Sequence, residues 1–165
     1  MRIRPAALLV TALALVGAPS ATADKPVKVP IVIEPLTLTG VCDFPVGIEA
    51  IGAQNQKVTT FADGRVIITG QLTTRATNLD DPSKSWQGTA TGPVFLTPRE
   101  DGSLDVKGTG VNLFYFFPGN LGEGEPGALF LVKGLSTEQI DANGEVVTGS
   151  FVHHGFIENL CVTLA

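Results

Sequence analysis

Asp101-Gly102-Ser103-Leu104-Asp105-Val106-Lys107-Gly108-Thr109-Gly110-Val111-Asn112-Leu113-Phe114-Tyr115-Phe116-Phe117 is the stretch on which the fold turns. Asp-Gly suits the positive φ angles of a tight hairpin turn, and the residues after it alternate apolar and polar as a half-buried strand does. Successive strand side chains point to opposite faces. With Asp105 and Lys107 outward, Leu104, Val106, Gly108, Gly110, Asn112, Phe114 and Phe116 point inward. Glycines repeated on an inner face predict a strongly bent strand, as in a small closed barrel.

The same turn chemistry recurs at Asp63-Gly64 and Asn143-Gly144, so three hairpin turns are expected, followed by the runs Arg65–Thr74, Leu104–Phe116 and Glu145–Val152. In the first run Val66, Ile68, Gly70 and Leu72 share one face. Asn78–Lys84 and Pro118–Gly127 read as longer loops. Nineteen Gly and eleven Pro, with many Val, Ile and Thr, leave no apolar period of 3.6 residues over three turns, and the best helical candidate is a turn near Ile157–Leu160. The expectation is an all-β domain, a single small antiparallel β-barrel of about eight strands, with a β-sandwich as the alternative.

The chain starts with Arg2 and Arg4, an apolar run from Ala6 to Ala18, and Ala21-Thr22-Ala23. That is the layout of a secretory signal peptide over residues 1–23, its apolar run too short for the roughly 20 residues of a membrane span. Residues 24–29 are then expected as a mobile lead-in to a domain over residues 30–165. Without residues 1–23 the chain has nine Lys and Arg against sixteen Asp and Glu, a net charge of −7. Acidity argues against nucleic acid or an anionic membrane as partner, since both demand a basic face. A secreted, extracellular chain with two cysteines predicts one disulfide, Cys42 to Cys161.

Val41-Cys42-Asp43-Phe44-Pro45-Val46, Ala62-Asp63-Gly64-Arg65-Val66-Ile67, Gly108-Thr109-Gly110 and Asn159-Leu160-Cys161 together resemble a group of uncharacterised secreted actinobacterial proteins. The pattern is also distantly similar, in architecture, to the eight-stranded barrels of the allene oxide cyclase and dirigent type. That likeness implies an apolar ligand in a central cavity, without transferring an activity.

Signatures of chemistry are sparse. Gly134-Leu135-Ser136-Thr137-Glu138 lacks the second glycine of a nucleophile elbow, and Ser150 near His153 reads as a strand end. His153 and His154, adjacent, cannot easily share one metal, and no metal or cofactor spacing is present. Asp80, Asp81, Glu123 and Glu125 read as loop carboxylates, and Glu49 as an outward strand residue. What remains is the aromatic run: Phe114 and Phe116, with Asn112 as polar anchor and Trp86 as a further wall, are the candidate lining of an apolar pocket. The expected function is a binding module for a small apolar ligand or a partner. A cyclase- or isomerase-like enzyme using the barrel cavity is the alternative, as is a structural or interaction protein with a filled core.

Overall fold

Short alternating runs separated by Gly and Pro turns form strands throughout, and each pairs antiparallel with its neighbours. The computed structural model describes residues 26–52 and 54–165; the expected signal peptide and the first two residues of the expected lead-in lie outside them. The strands are β1 (Val27–Pro30), β2 (Leu36–Leu38), β3 (Val46–Ala50), β4 (Lys57–Thr60), β5 (Val66–Thr69), β6 (Leu72–Asn78), β7 (Ser85–Ala90), β8 (Val94–Pro98), β9 (Leu104–Phe116), β10 (Ala128–Ile140) and β11 (Val152–Asn159). One short helix, α1 (Leu160–Thr163), follows. Pairing sorts the strands into a larger sheet, β1-β4-β5-β8-β9-β10-β11, and a smaller one, β2-β3-β6-β7.

The all-β class is thus observed, as two antiparallel sheets, neither of which closes into a barrel through strand pairing. The first strand begins at Val27, inside the stretch expected as a lead-in, and its side chains stay exposed. Arg65–Thr74 is not one strand: Gly70, at φ +123°, splits it into β5 and β6, which belong to different sheets. A Cβ at Gly70 would fall 2.6 Å from the Asn55 carbonyl oxygen, so only glycine lets the chain cross there. Ile157–Asn159 extend β11, and the helical turn starts one residue later than these, capped by Asn159, whose side chain accepts from the Cys161 amide at 3.0 Å.

The three Asp/Asn-Gly turns lie where expected, between β4 and β5, between β8 and β9, and after β10. The third leads to no strand: past the single Ile140–Val146 bridge, the chain from 147 to 151 crosses the sheet irregularly, with Gly149 N–H donating to the Asn120 carbonyl at 2.8 Å.

The long hairpin of β9 and β10 organises the rest. Its register is continuous over thirteen residue pairs, from Ala128 opposite Phe116 to Ile140 opposite Leu104. Across it runs a row of three glycines, Gly110 opposite Gly134 and Gly134 opposite Gly155 on β11, with φ of +76°, +139° and +117°. A Cβ on Gly134 would strike the His154 carbonyl oxygen, and one on Gly155 the Lys133 carbonyl oxygen. The row is a crease. Phe151 immediately precedes β11, whose first residue sits opposite Thr137 and so in line with Lys107. A straight β9 would put Phe116 roughly 30 Å from Lys107, yet the Phe151 ring centroid is 4.7 Å from that of Phe116. The two halves of the hairpin therefore fold toward each other, with the face carrying Val106, Asn112, Phe114 and Phe116 inside the bend.

The opposite face of the upper half packs on the smaller sheet. Leu129 and Leu131 meet Leu38, Val46, Ile48 and Ala76 there, with Val111, Leu113, Tyr115 and Phe117 around them. Thr91 and Gly92, just past β7, donate to the Val111 carbonyl at 3.1 and 3.0 Å and join the two sheets at this corner. Cys42 and Cys161 are bonded, their Cα atoms 5.4 Å apart, which ties α1 to the segment before β3. Leu160 and Leu164 of this end are fully buried.

Candidate functional site

Inside the bend, two kinds of side chain meet. The first is aromatic: Phe114, Phe116, Phe130 and Phe151 form one cluster, with centroid separations of 4.7 to 6.4 Å. Such offset and tilted pairs are favourable beyond the area they bury. The second is polar. Ser136 stands between Gly108 on β9 and His153 on β11, and its hydroxyl is buried without a hydrogen-bond partner, as is Nδ1 of His153. Buried polar atoms are nearly always satisfied, so two unpaired neighbours mark this row as unusual. A Cβ on Gly108 would lie 2.7 Å from the Ser136 hydroxyl and 3.1 Å from the Asn112 amide nitrogen, so the bare glycine is the floor on which both converge.

Asn112 does point inward and is 6% exposed. It does not offer its amide to an empty space, however: Nδ2 donates to the Thr109 carbonyl at 2.9 Å, inside the bend of its own strand. Phe116 is fully buried within the aromatic cluster. Trp86 lies elsewhere. Its strand belongs to the smaller sheet, where it pairs with Ala76 and packs against the inter-sheet core, on the other side of the hairpin. Asn112, Phe114 and Phe116 therefore share a face, and Trp86 does not join them. Ser150, beside His153 in sequence, is bonded through its hydroxyl to the Gln139 backbone. Glu49 is outward and pairs with Arg75 across the strands at 2.9 Å.

Of the aromatic residues expected to line a pocket, Phe114 does so. A cavity of about 180 Å³ draws on both faces of β9, with Phe114 from inside the bend and Leu113, Tyr115 and Phe117 from the face that meets the smaller sheet; Asn120, Ile140, Glu145 and Val146 complete its wall, and Glu138 opens into it. Glu138 also borders a wider groove of about 550 Å³ with Phe95, Thr97, Lys107, Thr137 and Gln139. The residue sits opposite Val106, on the face of β10 that carries Ala128, Phe130, Val132 and Ile140. Burial pushes its carboxyl up from 4.5 to about 7, because charge is disfavoured away from water. Burial also raises the Tyr115 phenol, and the Glu138 charge adds to that. Other shifted carboxyls lie low instead: Asp63 is held down by Arg65, Asp81 by Ser83, Asp101 by Ser103 and Asp141 by the Glu145 amide. Among the described residues no group of three or more His, Cys, Asp or Glu converges as a metal site would require.

Glu138 was not among the residues singled out from sequence. Its neighbours Ser136, Thr137 and Gln139 give the stretch the look of a solvated strand end. The available signal was parity, which places it on the same face as Phe130, Val132 and Ile140.

No protein-family model, curated protein or solved structure gives a significant match to this chain.

Proposed function

We propose that the chain is a secreted binding module for a small, mainly apolar molecule, seated in the cavity beside Glu138. The observation that carries this reading is the composition of that cavity: three aromatic rings, three aliphatic side chains, the Asn120 amide, and the carboxyls of Glu138 and Glu145. Binding sites for small molecules are mostly apolar with a few placed polar groups that fix orientation. A comparable cavity, about 150 Å³ and lined by apolar side chains, accepts benzene, so the occupant here is about the size of one substituted ring. The bent hairpin supports an open, barrel-like wrap around the ligand. The disulfide and the signal-like residues 1–23 support export.

Native mass spectrometry of the protein from its own source should show an adduct of that size, released on denaturation. Val146→Trp, which fills the cavity, should abolish it. An adduct unaffected by Val146→Trp would place the ligand elsewhere, and its absence from the native protein would count against the module.

A second reading, an isomerase- or cyclase-like enzyme, is favoured by one observation. A carboxyl titrating near 7 is poised to give and take a proton at neutral pH. In that case the ligand recovered from heavy water should carry deuterium on carbon, and Glu138→Gln should stop the exchange.

A further inference from the structure

We infer that the molecule held beside Glu138 is a small organic cation, a protonated or quaternary amine on an apolar ring-sized body. This rests on the binding reading above and names the ligand's chemical class. The carboxylate of Glu138 meets no hydrogen-bond donor and no basic side chain among the described residues; the three ion pairs there join Arg65 to Asp63, Arg75 to Glu49 and Arg99 to Asp105. Glu138 is half-buried and its carboxylate oxygens still reach water, so a ligand that brings a positive charge gains a partner there in surroundings less screened than open solvent.

The cavity walls favour the same charge. Phe114, Tyr115 and Phe117 present aromatic rings, and a cation over a ring face is attracted by its quadrupole. No Lys, Arg or His borders this cavity, whereas a second carboxylate, Glu145, does. Lys107 borders the wider groove, which Glu138 shares, and forms no ion pair with Glu138. An anion would face two carboxylates, and a neutral guest would gain nothing from either of them. A ring bearing an aminomethyl group suits both the volume and the charge.

The test uses two probes of nearly the same shape, benzylammonium and ethylbenzene, titrated by calorimetry into the whole protein at about pH 8, where Glu138 is ionised. Benzylammonium should bind at least about tenfold more tightly than ethylbenzene, a difference in line with a desolvated cation–π contact and charge pair. Glu138→Gln keeps the shape and removes the charge. It should erase that preference while leaving ethylbenzene within about twofold of its affinity for the parent protein. Equal binding of the two probes, or a preference that survives Glu138→Gln, would overturn the cation assignment and leave the binding module standing. Failure of both probes to bind at millimolar concentration would sink both readings. Circular dichroism of the variant confirms the fold in either case.

Discussion

The two faces of the β9–β10 hairpin are made of different materials. One face, against the smaller sheet, buries Leu129 and Leu131 on Leu38, Val41, Val46, Ile48 and Ala76, and is locked at its end by the Cys42–Cys161 bond. Its polar member Asn78 is satisfied, donating to the Leu164 carbonyl at 3.0 Å. The other face, inside the bend, stacks four phenylalanines beside Ser136 and His153, whose polar atoms are unpaired, and the half-buried Glu138, whose carboxyl is partly desolvated. Stability is the business of the first face. The second retains groups that a purely structural interior would replace by apolar ones, because a buried polar atom without a partner costs about 1–3 kcal/mol. Two of the three buried side-chain atoms without a partner among the described residues lie inside the bend, the third being Gln56 Oε1.

The largest effect that separates the faces should come from the disulfide. Cys42→Ser opens a loop spanning 119 residues, which the chain-entropy relation values at about 4–5 kcal/mol. Denaturant unfolding should show that loss, and reduction of the parent protein should reproduce it. A loss below about 1 kcal/mol would mean that the apolar face holds without its lock.

Glu138 should act with the opposite logic. Its pKa is higher folded than unfolded, so the folded chain holds the proton more tightly. Below about pH 4.5 the group imposes no penalty; as pH climbs from there to about 7, stability falls, and it levels off above. The parent protein should therefore lose on the order of 2–3 kcal/mol across that range relative to Glu138→Gln, which does not titrate. Parallel stability profiles of the two proteins from pH 4 to pH 8 would show Glu138 to be solvated, and the contrast between the faces would lose its strongest member.

How much of this could be read from residues depends on whether the signal is local. The turns at Asp63-Gly64 and Asp101-Gly102, and the full extent of β9, are written in turn chemistry and alternation, and the glycines at 108 and 110 did announce a bend. The disulfide followed from the expected compartment and the count of cysteines. Gly70 reads in sequence as an inner-face strand residue, because its role depends on Asn55 and Gln56 coming within reach, a tertiary contact. Trp86 went to the wrong side for the same reason: strand parity assigns a face, not the sheet that covers it. Glu138 escaped because a short polar stretch looks solvated until the crease brings the far half of the hairpin over it.

A smaller effect is expected at Asn112. Removing its amide by Asn112→Leu leaves the Thr109 carbonyl without that donor and puts branched carbon beside Gly92 and Gly108. The fold should lose about 1–3 kcal/mol, seen as a lowered melting temperature. An unchanged or raised melting temperature would return Asn112 to the role of a ligand anchor, since only an amide facing open space can be exchanged for Leu without harm.

Ser136→Ala should have the smallest effect, and its sign is the informative part. Ser136 is 1% exposed, lies opposite both Gly108 and His153, and its hydroxyl has no partner. An ordinary buried serine contributes a hydrogen bond worth about 0.5–1.5 kcal/mol, which alanine forfeits. Here there is no such bond to forfeit, and alanine removes only a desolvated oxygen. Chemical denaturation should therefore find Ser136→Ala as stable as the parent protein, or more stable by up to about 1 kcal/mol. A loss of that size would mean that Ser136 is bonded in solution, to His153 across the strands or to an enclosed water. The inner face would then be as well satisfied as the outer one, and only Glu138 would still distinguish them.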